Sequence, residues 1–226
     1  MSPYVIRPVG EDALLIELGS VVCEETHSAV LDLDSALHAA GIAAICETAP
    51  AYTSVMVRYD PDLTSFEELR LLCEPLMSQP RTADRAGRCH VVPVCFDDSY
   101  APDLDEIASR VGLTPEVVTR QFLKARYRVY MYGFAPGYAY MGGVPPALHQ
   151  PRKPAAVRGY PVGSVLIAGP QCLISTLPMP TGWWVIGRTP LTILDRDSEE
   201  PPVFQPGDTV QFQRIDSEQF ARLATK

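Results

Sequence analysis

The chain has 226 residues, with 27 acidic against 19 basic side chains and a net charge of −8. That balance excludes a non-specific binder of nucleic acid or anionic membrane, since such proteins recruit phosphates through a basic face. The length accommodates one large domain or two small ones, either able to bury a core without cross-links.

Residues Tyr4 to Leu18 read as two short strands around Gly10-Glu11-Asp12. From Glu24 to Ala40, Val30, Leu33, Leu37 and Ala40 recur at helical spacing, and Gly41 is placed to end the helix. Tyr52 to Tyr59 alternates Val55, Val57 and Tyr59 against Ser54, Met56 and Arg58, the pattern of a half-buried strand. Ser65 and Glu68 then form a capping box for a second helix with Phe66, Leu69 and Leu72 inward, which Pro75 should kink or end. The order ββαβα implies a small α+β sandwich over residues 1–80, with both helices on one face of an antiparallel sheet.

Ser78 to Arg88 is polar and poor in apolar residues, so the domain boundary is placed there and a second domain runs over 88–226. His90 to Phe96 reads as a strand that Pro93 confines to an edge or a bulge. Asp103 caps a helix ended by Gly112, and Thr114 caps another with Pro115 at its first position. Arg128 to Tyr132 alternates as a strand, then gives way to a Gly/Pro loop carrying Phe134, Tyr138 and Tyr140. Such a loop serves as a structural corner or as a rigid aromatic-lined ligand wall. Short strands follow at 164–168, 172–175, 183–186, 191–194 and 209–213. With Gly or Pro at nearly every junction, they point to a closed or partly closed β-barrel.

No leader pattern and no apolar run of about 20 residues is present, so the chain is expected to be cytoplasmic. The six cysteines contain no C-x-x-C pair and read as buried thiols, and the four histidines lack ligand spacing, so no metal site is expected. Phosphate-loop, dinucleotide, zinc-protease and nucleophile-elbow motifs are all missing; Gly159-Tyr-Pro-Val-Gly-Ser164 lacks the lysine of a phosphate loop and leads into a strand. No catalytic residue is assigned. Polar groups gather instead in the Gly/Pro loops of the second half, where Arg152, Lys153, Arg158 and Arg188 sit beside Gly or Pro and Ser164 and Gln171 begin strands. A guanidinium fixed in a loop suits bidentate recognition of a carboxylate or phosphate; Arg152 and Lys153 read equally as solvated charges.

Taken together, Tyr130-Met-Tyr-Gly-Phe-Ala-Pro-Gly-Tyr-Ala-Tyr140, Pro151-Arg152, Pro161-Val-Gly-Ser164, Ile167-Ala-Gly-Pro-Gln171 and Gly182-Trp183 through Pro190 resemble the successive motifs of the family of 5-oxoprolinase B-subunits. Gly10 to Gly19 resembles its opening motif. That family also contains the KipI kinase inhibitor and allophanate hydrolase subunit 1, and corresponds to subdomains C and D of a carboxyltransferase. Cys172-Leu-Ile-Ser-Thr176 and Met179-Pro-Thr-Gly-Trp183 depart from the family's usual Thr-Gly-Ile-Tyr-Pro and Ser-Pro-Gly-Gly-Trp, and Phe122 stands near a usual histidine.

The resemblance implies an α+β N-terminal domain followed by a mainly β, cyclophilin-like barrel. It also implies a protein inactive alone, supplying half of a composite site in a hetero-oligomer with a C-type, carboxyltransferase-like partner and a lactam-hydrolase partner. ATP would serve the assembled hydrolase. Under a carboxyltransferase reading biotin would carry the transferred group, and under a KipI-like reading the partner would be a sensor histidine kinase. The substrate would be a small carboxylate or amide, held by Tyr130, Tyr140, Arg152, Arg158, Ser164, Gln171, Trp183 and Arg188. Arg188, at the end of the strand through Trp183 and Trp184, is expected at the barrel mouth facing Tyr130 and Tyr140.

Overall fold

The computed structural model describes residues 4–77, 87–195, 197–198 and 201–225. The chain divides into two compact units, Met1–Ala86 and Gly87–Lys226. The expected linker lies outside the described residues up to 86; Gly87 and Arg88 belong to the second unit.

The first unit runs β1 (Val5–Val9), β2 (Ala13–Glu17), α1 (Glu24–Ala40), β3 (Ile45–Pro50), β4 (Ser54–Tyr59) and α2 (Phe66–Met77). Its strands form an antiparallel sheet in the order β1-β2-β4-β3. Leu14, Ile16, Val55 and Val57 point to one face and pack with Val30, Leu33 and Leu37 of α1 and Leu69 and Cys73 of α2. Both helices thus cover the same face, and the ends of α1 follow local chemistry. The Cys23 thiol accepts from the Thr26 amide, and Gly41 closes the helix at φ 59°.

Three expectations change here. Strand β3 is absent from the sequence pattern because a register shift between Ile45 and Glu47 leaves Cys46 and Glu47 both exposed, breaking the alternation. Pro75 does not end α2, which runs on to Met77. Its missing N–H removes one intrahelical bond, the one that would reach the Leu71 carbonyl. The inward seam is Phe66, Leu69, Cys73 and Leu76, and at helical spacing this leaves Leu72 off the seam and 50% exposed.

The second unit runs β5 (Cys89–Cys95), α3 (Leu104–Val111), α4 (Pro115–Lys124), β6 (Tyr127–Tyr132), β7 (Ala139–Gly142), β8 (Ser164–Ala168), β9 (Gln171–Ile174), β10 (Trp184–Arg188), β11 (Thr209–Ile215) and α5 (Ser217–Ala224). The seven strands close into a barrel in the order β10-β5-β11-β6-β7-β9-β8, consistent with a cyclophilin-like fold. Strand alternation gives it two apolar faces. Val129, Met141, Val165, Ile167, Cys172, Ile174, Trp184 and Ile186 belong to the large core, while Leu166, Leu173, Trp183 and Val185 form a separate cluster with Tyr138. Strand β5 meets β10 only at Cys95 and Arg188, so Pro93 costs no ladder bond on that side.

Strand β7 lies within what the sequence reads as the Gly/Pro loop; four residues are too short for periodicity to register. The expected strand at 191–194 reduces to one bridge between Leu194 and Pro202. Helix α5 has no counterpart among the expected elements, although Asp216 and Gln219 make a full capping box. Of the cysteines, Cys73, Cys95 and Cys172 are buried, Cys23 is half-buried and Cys46 and Cys89 are exposed, so burial holds for only part of the set. Phe122 is fully buried, 4.8 Å from Phe212 and 5.0 Å from Tyr127 between ring centres, so the aromatic at this position serves the core. No helix among the described residues is long and apolar enough to cross a membrane.

Candidate functional site

The second apolar cluster does not close over itself. It floors a cavity of ≈ 240 Å³ walled by Tyr140, Leu166, Leu173 and Trp183, with Phe134, Tyr138, Arg152 and Thr181 around it. Tyr140 and Trp183 meet edge to face at 5.8 Å, and the Arg152 guanidinium lies 5.6 Å from the Trp183 ring centre. Burial pushes the Tyr140 phenol above its ordinary pKa, with nearby Arg152 pulling the other way. The Tyr140 phenol therefore stays protonated at neutral pH and can donate a hydrogen bond beside a cation. Arg152 has no carboxylate within ion-pair distance among the described residues, whereas Arg7, Arg58, Arg70, Arg110, Arg214 and Arg222 each have one. A guanidinium held over an indole and left without an acid can take an anionic ligand.

The loop above the cavity explains the Gly and Pro content of its motif. Gly137, at φ 71°, packs so closely that a Cβ would lie 3.1 Å from Leu194 and 3.2 Å from Thr176, and the Thr176 hydroxyl donates to the Pro136 carbonyl at 2.6 Å. Phe134 is the one non-glycine residue at positive φ among the described residues, at 65°, and the residue is 76% exposed. Holding an aromatic in the left-handed region costs about 1 kcal/mol or more. Phe134→Gly is therefore expected to leave the melting temperature level or slightly raised. Loss of one aromatic wall, worth about 0.5–1.5 kcal/mol, should weaken ligand binding roughly 2–12-fold. Thermal unfolding and a ligand titration on the same variant check both signs; a lowered melting temperature with unchanged affinity would contradict it.

Beneath the neighbouring loop lies a charged cluster that local sequence patterns did not show. Lys153 Nζ donates to Asp103 Oδ2 at 2.6 Å and to Tyr160 Oη at 2.7 Å, and the Tyr160 hydroxyl reaches both Asp103 oxygens at 3.2 Å. The Lys153 and Asp103 side chains are only 9% and 11% exposed. Burial acts to lower the Lys153 pKa, but its bonds to Asp103 and Tyr160 outweigh this and hold it above the ordinary value. Asp103 precedes α3 as expected of a cap, yet its side chain makes no capping bond. Its carboxylate accepts instead from Lys153 and, at 2.7 Å, from the Val185 amide of β10.

Of the eight expected binding residues, Tyr140, Arg152 and Trp183 come together at the cavity. Tyr130 is buried against Gly142, where a Cβ would sit 2.8 Å from its ring, and is not part of the cavity wall. The Ser164 hydroxyl donates to the Pro161 carbonyl at 2.7 Å and fastens the start of β8. Gln171 opens β9 opposite Ala168 and Gly142, and Arg158 is exposed on the loop beside the bridging residue Val157. Arg188 is not among the residues that line the cavity with Tyr140. Its Nε donates to the Val162 carbonyl at 3.0 Å and its guanidinium lies 5.5 Å from the Phe220 ring centre, fixing β10 to the 162 turn and to α5. Arg188→Ala should thus lower stability by about 1–2 kcal/mol, the sum of one hydrogen bond and one cation–π contact, and leave ligand affinity within about twofold. A thermal melt and a binding isotherm separate the two effects, and a large affinity loss would return Arg188 to the site.

A larger cleft, ≈ 440 Å³, opens where α3 and α4 begin, but Asp97, Asp98, Asp105 and Glu116 line it and its cation, Arg214, is paired with Glu116. Such a lining repels carboxylates. The aromatic cavity, by contrast, carries Arg152, which has no ion-pair partner among the described residues.

The chain thus carries an α+β unit and a closed barrel whose strands help to line an aromatic cavity. The chain belongs to the family described as carboxyltransferase domain, subdomain C and D, whose model matches residues 4–204. It is 32% identical over 228 residues to the 5-oxoprolinase B-subunit of Bacillus subtilis (strain 168), covering 96% of this chain and 95% of the relative. Among solved structures, that of TTHA0988 is 33% identical with a TM-score of 0.80; the match covers 94% of this chain and 41% of that one, so this chain spans about two fifths of its length. The Kluyveromyces lactis urea carboxylase structure shares the fold at 18% identity and a TM-score of 0.76, over 97% of this chain and 22% of that one.

Proposed function

We propose that this chain is the B-type component of an ATP-dependent, 5-oxoprolinase-type amide hydrolase. It would contribute half of a composite site with a C-type, carboxyltransferase-like partner and a lactam-hydrolase partner. The observation that carries the reading is the acid-free Arg152 guanidinium over Trp183 beside the protonated Tyr140 phenol. A small lactam acid matches that wall: its carboxylate pairs with Arg152, its flat ring lies against the aromatics, and the amide oxygen accepts from Tyr140. The cavity does not fit a nucleoside triphosphate, because ≈ 240 Å³ with a single guanidinium cannot neutralise three phosphates. ATP is accordingly assigned to the assembled complex. No residue here is given a nucleophilic role, and the chain's task is to bind and orient the ring.

The test is coexpression with the two partner proteins, followed by measurement of ATP-dependent conversion of 5-oxoproline to glutamate. Turnover is expected from the complex and not from the isolated chain. The family's own description favours a second reading, in which the same site serves carboxyl transfer from biotin to a urea-like acceptor. Biotin-dependent carboxylation without lactam opening would select it, and capture of a sensor kinase with neither activity would select a KipI-like inhibitor.

A further inference from the structure

We infer that Lys153, through its buried ion pair with Asp103, is the positioning residue that sets Arg152 over Trp183. The alternation of side chains along extended backbone underlies this. The Lys153 amide donates to the Gly182 carbonyl at 2.7 Å, pairing the loop with the segment that enters β10. Two consecutive residues then match two consecutive tryptophans: Arg152 lies over Trp183 on the cavity side, and Lys153 lies 5.1 Å from the ring centre of Trp184, which belongs to the barrel core. The Trp184 indole N–H donates to the Pro151 carbonyl at 2.8 Å, fixing the residue just before Arg152. Asp103 is itself attached to β10 in both directions, its amide donating to the Val185 carbonyl at 3.0 Å and its carboxylate accepting from the Val185 amide. Because Lys153 and Tyr160 both reach that carboxylate, it ties down the two ends of the loop that carries Arg152 at its start.

A buried ion pair adds little net stability over an apolar pair of the same size, so what this one supplies is register. A shift of one residue in the loop would turn Arg152 inward and put Lys153 over the cavity. The inference rests on the proposed function only in taking the cavity as the substrate site, and its test has an arm that does not need substrate. In the isolated chain, the two indole N–H resonances, Trp183 and Trp184, are followed by nitrogen–proton NMR. Arg152→Ala is expected to move the Trp183 resonance, Lys153→Met to move it in the same direction, and the double variant to move it no further. In the assembled hydrolase, Lys153→Met should raise KM for 5-oxoproline about tenfold with kcat within about twofold, and the double variant should match Arg152→Ala alone. Where Lys153→Met fails to fold, Tyr160→Phe, which removes only hydroxyl bonds to the cluster, should show the same shift at smaller amplitude. A Trp183 resonance moved by Arg152→Ala but not by Lys153→Met, or KM effects that multiply independently, would overturn the inference and leave the cavity reading standing. Coupled resonances with a KM indifferent to Arg152→Ala would do the reverse.

Discussion

Asp103→Ala should destabilise the protein by about 3–5 kcal/mol, because it leaves the Lys153 ammonium buried without its counter-charge and the Val185 amide without its acceptor. Against a total stability of about 5–15 kcal/mol that is a large fraction, and for a chain of this size it corresponds to roughly 6–20 °C in melting temperature. The double variant Asp103→Ala with Lys153→Met removes both charges and should recover most of the loss. Recovery of melting temperature without recovery of KM would separate the pair's contribution to stability from its control of Arg152. The sign with pH follows from Lys153. Since its folded pKa is raised above 10.5, its contribution is fully present below the unfolded value and is lost only as pH rises through the folded one. Denaturation midpoints followed into alkaline solution should therefore hold steady through neutral pH and fall beyond it; a loss of the pair's contribution already at neutral pH would contradict the assignment.

Arg152→Ala should lower kcat/KM of the assembled hydrolase about 10–150-fold, carried mostly in KM. A charge-assisted hydrogen bond in a partly desolvated pocket contributes about 1.5–3 kcal/mol, and the substrate carboxylate keeps its charge in both the ground and transition states. Arg152→Lys retains charge but neither the planar fork nor the stacking over Trp183, and is expected to fall between wild type and alanine. Because Arg152 is exposed and makes no ion pair with the described carboxylates, only its cation–π contact of about 0.5–1 kcal/mol is lost, and the melting temperature should fall by no more than about 4 °C. An unchanged KM with an altered melting temperature would remove Arg152 from the site.

Elements governed by local chemistry were legible in the sequence. Gly41 and Gly112 end their helices in the left-handed conformation, Thr114 accepts from the Val117 amide with Pro115 at the first helical position, and Ser65 and Glu68 cap α2 reciprocally. Each such contact spans three or four residues, so the pattern that encodes it lies within one reading window. The motif around Phe134 to Tyr140 read as a structural corner or an aromatic wall, and what it fixed was the backbone turn, with Phe134 and Gly137 at positive φ.

The sequence by itself determined most of the longer elements, the caps at Gly41, Ser65, Gly112 and Thr114, the family resemblance and the fact that arginines stand among Gly/Pro loops. Which arginine faces the cavity was settled only by tertiary structure. Arg152 and Arg188 each stand beside Gly or Pro, and only Arg188 is near a tryptophan in sequence, yet it is Arg152 that lies over Trp183 while Arg188 is held by Val162 and Phe220. Asp103 has the local signature of a helix cap, but its carboxylate is taken by Lys153, 50 residues away. The physical reason is the same in both cases. A charged side chain takes the partner that burial makes most costly to leave unpaired, and burial is decided by which strands and loops the closed barrel brings together.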